Sequence, residues 1–400
     1  MHSDSRNTAA DAAVTPALWL CNGAMMAVAL GLILVPIYLT TFRQAFAVDG
    51  VPLSEEQLGR IPAVLFGWVT VGILFSGPLA DRWGAKLFAV AGLVLVSLGL
   101  VVTATATSYA ALLVGASVTG LGAGIIDMVL SPIVSALQPH RRSAALNVLH
   151  SFYCVGAVLT TVLGYIAIRC GIGWRWVCLV MTLFPALVAL GLMRVSIPPV
   201  VEAGQARQPA RTLLRSPYFL IAFLAMFLAG ATELGIAQWL PAFAELHLGF
   251  EKQTSALTLS MFLVAMAVGR LWCARLVHRF PVFHLMIAGC IFAVVLYGVG
   301  CFATNRYVAI TACIGVGLAV SLLWPSMLGV TADQFPHGGA TMFGLMAAAG
   351  NASGFAVPWL IGIVAGYSHL GVGLLVGAVC PLILVFLLLW MRGHRPRNVD

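Results

Sequence analysis

The chain has 400 residues, 61% hydrophobic and 8% charged, with a mean hydropathy of +1.01; soluble domains carry about 25% charged residues, so a soluble globular fold is excluded. The formal net charge of +8 comes from basic residues scattered singly in loops, with no aromatic-interleaved stripe, which excludes nucleic acid as a partner and leaves membrane topology as the reason for the positive balance. The nine cysteines show neither C-x-x-C nor mixed Cys/His spacing, so no disulfide framework, metal or cofactor is expected; they read as small core residues.

Residues 1 to 16 hold Asp4, Arg6 and Asp11 in place of a basic leader, and the apolar run that follows is too long for a signal peptide. They are expected to form an uncleaved tail. Apolar runs against polar punctuation then predict twelve transmembrane helices, at about 17–42, 58–80, 87–106, 109–137, 144–168, 174–194, 217–244, 253–274, 282–303, 307–332, 340–365 and 372–391. Barrel strands would be half as long and would alternate. An even number of spans puts both termini on one side. Fifteen of the 21 Lys and Arg fall on that side and six opposite, which makes it the cytoplasmic one. The expectation is a multi-pass protein of the inner (plasma) membrane.

The longest polar interruption, RVSIPPVVEAGQARQPARTLLRSP (194 to 217), lies between the sixth and seventh spans. The expected organisation is therefore a cytoplasmic tail 1–16, a six-helix bundle 17–194, a cytoplasmic linker 195–216, a second six-helix bundle 217–391 and a cytoplasmic tail 392–400. The halves look repeated. GPLADRWG (77 to 84) lies over ARLVHRFP (274 to 281) at an offset of 197, and GAGIIDMVLSP (122 to 132) over GVGLAVSLLWP (315 to 325) at an offset of 193. Repeated halves facing a midplane site are the plan of secondary transporters.

The loop after the second span, GPLADRWGAK, closely resembles the G-x-L-a-D-R-x-G-r-k signature of the major facilitator superfamily. The resemblance covers the whole chain and implies an all-α membrane fold of two pseudo-symmetric six-helix bundles. It also implies that Gly77, Asp81, Arg82, Gly84 and Lys86 form a conformational latch, not a substrate site. Physically, Gly77 permits close helix approach, Asp81 suits an arginine or a helix amino end, and Gly84 suits a tight turn. His278 and Pro281 replace the aspartate and glycine in the second-half copy, so no latch is expected there.

A finer resemblance, carried by G-x-G-x-x-D-x-x-x-S-P and LNVLHSFYCVGAV (146 to 158), is to the fucose:proton symporter branch with its glucose and galactose relatives. On that likeness Asp127 matches the fourth-span acid, and Asn147 and His150 match fifth-span polar positions. Leu32 stands four residues before Pro36 where the fucose carrier has an acid, so neither substrate nor stoichiometry transfers.

Only two acids lie deep in predicted spans, Asp127 in the fourth and Glu233 in the seventh. A charge at the centre of a membrane helix costs about 2.5–3.5 kcal/mol on insertion scales, so each needs a reason. Desolvation favours the neutral carboxyl and a nearby cation the charged one, so alternating exposure would load a proton on one side and release it on the other. Both acids are candidate proton-coupling groups. Gly120, Gly124, Asp127 and Ser131 share one small, polar face, which suits either a cavity or a helix contact.

Asn22, Asn147, His150, Gln238, Trp239, Trp324 and Asn351 are the candidate substrate residues. A polar group beside an indole grips a sugar ring through hydroxyls and C–H faces, although each also suits interhelical packing. His150 reads either as a satisfied helix partner or as a relay. Arg270, near the end of the eighth span, reads as a snorkelling side chain.

The function expected is secondary active transport of a small polar solute, sugars included, by alternating access with proton symport. The alternative is a proton-coupled exporter of amphipathic compounds or metal chelates. An enzyme is not expected, since the spans hold no H-E-x-x-H, paired-aspartate or nucleotide-loop motif. The partners expected are the solute, protons and the bilayer, and the protein is expected to be a monomer.

Overall fold

The computed structural model describes residues 4 to 138, 142 to 197 and 209 to 394. The expected linker stretch 198 to 208, residues 1 to 3 and 395 to 400 of the expected tails, and the side chains of Asp81 and Asn147 lie outside the described residues. The helices are α1 (Asp4–Ala45), α2 (Glu55–Trp83), α3 (Ala85–Thr105), α4 (Tyr109–Leu137), α5 (Arg142–Arg169), α6 (Trp174–Arg194), the short α7 (Ala210–Leu213), α8 (Pro217–Leu246), α9 (Lys252–Leu276), α10 (Val282–Phe302), α11 (Arg306–Val320), α12 (Leu323–Gln334), α13 (Gly339–Tyr367) and α14 (Leu370–Gly393). They make 12 spans long and apolar enough to cross a membrane.

Polar residues at the predicted ends start these helices. Ser54 and Gln57 form a capping box at α2, the Gln57 N–H donating to Ser54 Oγ at 3.2 Å and the Ser54 N–H to Gln57 Oε1 at 2.9 Å. Ser108 accepts from the Ala111 N–H, and Ser216, with Pro217 following, accepts from the Phe219 N–H. Between α1 and α2, Asp49 and Gly50 both have positive φ, 51° and 78°, inside a Val48–Val51 pair joined by two backbone hydrogen bonds of 3.0 and 2.9 Å. An Asp-Gly pair tolerates that turn where bulkier residues would not.

The tenth expected span is present as one span, Arg306–Gln334, but its helical hydrogen bonding is broken between α11 and α12 at Ser321 and Leu322, whose backbones stay right-handed helical. Pro325 has no N–H to give the Ser321 carbonyl four residues back, and its ring crowds that carbonyl. The Ser321 hydroxyl turns instead to the Leu318 carbonyl at 2.8 Å.

The chain divides into two compact units, one of Met1–Leu34, Trp68–Thr160 and Gly171–Gln205, the other of Val35–Gly67, Thr161–Cys170 and Ala206–Asp400. In the first, glycines bring backbones together. A Cβ on Gly72 of α2 would lie 2.7 Å from the Leu121 carbonyl oxygen and 2.9 Å from the Ile125 nitrogen of α4. One on Gly92 of α3 would meet Ile126 at 2.6 Å, and one on Gly124 would strike the Val69 carbonyl.

The second unit repeats the arrangement at the matched positions. Gly269 of α9 rests on Leu318 and Ser321, Gly289 of α10 on the Ala319 carbonyl, and Gly317 on the Phe262 carbonyl. The sequence repeat is therefore a repeat of helix contacts, which in lipid depend on small residues because the surrounding chains supply no hydrophobic drive between helices.

The second unit also gathers the α1–α2 end of the protein onto its own helices. Thr40 of α1 donates to Glu245 of α8 at 2.6 Å. The Trp359 indole of α13 donates to Glu56 of α2 at 2.7 Å, and Thr161 of α5 bonds Ser260 of α9. A Cβ on Gly59 would lie 2.6 Å from the Pro358 carbonyl oxygen. Arg43 and Glu55 close the intervening hairpin at 3.0 Å.

Glycine contacts of this kind make a differential prediction. Gly124→Ala must push α4 from α2 and should cost about 1–3 kcal/mol. Gly298→Ala, where nothing lies within 4 Å, should be neutral or stabilising by up to about 1 kcal/mol. Thermal unfolding of the purified variants in detergent checks the pair.

Candidate proton and solute site

With α4 held by α2 and α3 on its glycine faces, Asp127 projects from what remains. Its side chain is half-buried and surrounded by protein at depth. His150 of α5, an exposed residue, lies within electrostatic range of the carboxylate. The small face predicted around Asp127 is only partly open: Gly124 on it is a helix contact with α2. Asn22 of α1 is buried, 8% exposed. The side chain of Asn147 lies outside the described residues.

In the second unit, Glu233 sits midway along α8, likewise enclosed but with residual accessible surface. Arg270 of α9 lies within electrostatic range of it. The snorkelling expected of Arg270 is not what the structure has. Its Nη2 packs on Met266 Sδ at 3.7 Å, one turn back toward the middle of the span. Side chains on a helix lean toward its amino end, and for α9 that end is the far side of the bilayer, so the guanidinium is carried inward. Gly269, next to it, seats α9 against the α11–α12 break.

Gln238 is 1% exposed, and its Oε1 has no partner among the described residues. A buried amide oxygen left unpaired is costly, which sets Gln238 apart from Trp239 beside it. Trp239 does not fit its expected role. It is fully buried, donates to the Pro358 carbonyl at 2.9 Å, and packs against Gly362; it joins α8 to α13 and is closed to solute here. Trp324, half-buried just past the break, lies across Gly350. Asn351 spends its amide N–H on the Ala347 carbonyl of its own helix at 3.0 Å.

Four of the five residues expected to form a latch have described side-chain surroundings. Gly84 has φ 95° and separates α2 from α3, a conformation that favours glycine. Gly77 faces the flexible Met128 side chain at 3.0 Å. Lys86 donates to the Met193 and Val195 carbonyls at 3.1 and 2.7 Å, capping α6 with a cation where its dipole is negative. Arg82 is exposed and stands 5.6 Å from the Trp83 ring centroid. Sequence reasoning passed over two features, the inward course of Arg270 and the break in the tenth span. Pro325 was the visible sign of the second.

Twelve spans, a repeated helix scaffold and enclosed acids define a multi-pass membrane transporter, not an enzyme. A family model described as Major Facilitator Superfamily matches residues 18–358, and the chain belongs to that superfamily. It is 28% identical over 355 residues to the putative niacin/nicotinamide transporter NiaP of Bacillus subtilis, covering 83% of this chain and 85% of that one. It is 27% identical over 203 residues to the multidrug resistance protein MdtL of Escherichia coli, about half of each chain (50% and 52%). The fold is shared with the transporter FucP in the outward conformation, at TM-score 0.67 and 19% identity over 94% of this chain and 98% of that one.

Outside the spans, His247 at the end of α8 is stacked between Phe243 (4.9 Å) and His369 (5.2 Å). Burial, and then the neighbouring His369, push the His247 imidazole below its ordinary value of 6.5. The folded protein thus favours neutral His247. Its contribution to stability is complete above about pH 6.5 and is lost as pH falls through the depressed folded value. His247→Gln should therefore lose less thermal stability than the parent between about pH 7.5 and about pH 5.5, read by unfolding temperature in detergent.

Proposed function

We propose that the protein is a secondary active carrier of a small polar solute, sugars among the candidates, working by alternating access as a proton symporter in the inner (plasma) membrane. The two six-helix halves 17–194 and 217–391 would move against one another around the linker 195–216, with both termini in the cytoplasm and the monomer as the working unit. The observation that carries this reading is Asp127: a carboxylate within a membrane span, surrounded by protein yet half-buried, and within range of His150. A group so placed changes its proton occupancy when its access to water changes. Glu233 serves as the second proton-coupling group. Gly77, Asp81, Arg82, Gly84 and Lys86 steady the conformational change. Asn22, Asn147, His150, Gln238, Trp324 and Asn351 supply polar contacts to the solute.

The contacts of the α1–α2 end with α8, α9 and α13 support the same reading, because they join parts of both sequence halves at that end. Asp127→Asn, which keeps the shape and removes the titration, should preserve solute exchange and abolish uptake driven by a pH gradient. One pH unit corresponds to about 1.4 kcal/mol, or tenfold accumulation, so the loss is measurable in proteoliposomes. Unchanged gradient-driven accumulation in Asp127→Asn would remove the residue from the mechanism.

The likeness to a multidrug resistance protein over half the chain favours a second reading, proton-coupled export of amphipathic compounds or metal chelates. Inverted and right-side-out vesicles under the same imposed gradient separate the two by the direction of net movement.

A further inference from the structure

Arg270 is the feature that carrier action on a neutral solute leaves unexplained. Its guanidinium stays cationic at any physiological pH, and a cation held within a span is costly unless it is paired or used. Hydropathy would have it reach the headgroups. Instead it turns toward the midplane, onto Met266, within range of Glu233 on the adjacent helix. Gly269 beside it brings α9 against Leu318 and Ser321, where the broken tenth span leaves the Ser321 carbonyl without a helical N–H partner. Backbone broken at mid-membrane depth is tolerated where it is buried in protein or lines a cavity. Arg270, Glu233 and the break are thus a cation, a titratable anion and a buried peptide carbonyl that Pro325 leaves without its helical donor, all in the second unit.

We propose that the solute carries a carboxylate, that Arg270 binds it, and that Glu233 is the resident counter-ion which takes up a proton from water as the solute anion replaces it. This rests on the carrier reading above and names the substrate class for it.

The argument is one of charge. One guanidinium in a low-dielectric region balances one carboxylate; a second anion arriving beside an ionised Glu233 would be repelled by it and would leave the region with an unpaired negative charge. Protonation of Glu233 removes that excess, so proton and anion enter together. Arg270 is the charged group within range of Glu233 among the described residues, and it is the same charge in both states, so the titration is governed by which anion it holds. A planar guanidinium pairs with a carboxylate through two parallel hydrogen bonds, which a neutral amide of the same shape cannot reproduce. Discrimination between an acid and its amide should therefore be at least about tenfold.

The test is ligand-induced thermal stabilisation and direct binding with the full-length protein in detergent, at about pH 6 and about pH 8. The probes are acetate, lactate, benzoate and nicotinate, each against its amide. At least one acid should bind, its amide at least about tenfold more weakly, and the acid more weakly at the higher pH. Arg270→Gln should lose acid binding, with Arg270→Lys keeping part of it. Glu233→Gln should keep acid binding and flatten its pH dependence. Should Arg270→Gln fail to fold, the double variant Glu233→Gln/Arg270→Gln removes both charges at once and must also lose acid selectivity.

Acids and amides binding alike, none of the acids binding, or acid binding surviving in a folded Arg270→Gln or double variant overturns the proposal. Gradient-driven accumulation of a neutral sugar that ignores Arg270→Gln leaves the carrier reading standing and sinks this one. Arg270-dependent acid binding with no net transport in vesicles does the reverse.

Discussion

The structure depends on helix backbones approaching one another closely inside a medium that does not push them together. In water, burial of apolar faces would hold α2, α3 and α4; in lipid the faces are solvated either way, and what remains is close packing between small residues. Gly72, Gly92 and Gly124 provide it, and each would place a Cβ against backbone or a β-branched side chain if it were anything larger. Because those contacts fix the rotation of α4 about its own axis, they also decide where Asp127 points. The same argument fixes α9 and α11 through Gly269 and Gly317, and so carries Arg270 and the broken tenth span into register with α8.

A repeated scaffold does not make a repeated site. At the offset of 193 Asp127 falls on Val320, and at 197 Arg270 falls on Ile73. Among the described residues each unit holds an acid deep in a span with a basic neighbour, Asp127 with His150 and Glu233 with Arg270, on helices that are not counterparts. The basic partners differ in kind. Histidine gains and loses its charge near neutrality, whereas arginine keeps it. A carboxylate beside a histidine is suited to passing protons; one beside a permanent cation is suited to exchanging one anion for another. The two pairs therefore differ in chemistry although the scaffold around them repeats.

Most of the fold was legible because hydropathy and capping are local. The spans at 109–137 and 174–194 have the expected ends, since Ser108 and Trp174 mark polar-to-apolar borders that any membrane helix must respect. The glycine register was legible for a similar reason, as it repeats. The break at Ser321 and Leu322 was not, because Pro132 occupies the matched place in α4 and sits inside an unbroken helix; the proline permits a break and the surroundings decide. Arg270 was misread because its distance from the span's end is in the sequence while its direction is not. Trp239 left two readings open for the opposite reason: an indole near polar residues suits a sugar or helix packing alike, and its N–H is spent here on Pro358, a contact 119 residues away.

The α1–α2 end shows what a separable interface has to be made of. Its long-range hydrogen bonds, Thr40 to Glu245, Trp359 to Glu56 and Thr161 with Ser260, are polar, and a typical hydrogen bond contributes only about 0.5–1.5 kcal/mol net because water replaces it when it parts. Glu56 also keeps Arg60 of its own helix at 2.6 and 2.9 Å, so losing Trp359 does not strand a charge. Arg43 and Glu55 pair within the hairpin and travel together. An apolar seal of the same extent would cost far more to open, at roughly 25 cal/mol for each Å² exposed to water. Partners that remain solvated or locally paired when separated keep the cost of parting these hydrogen bonds low.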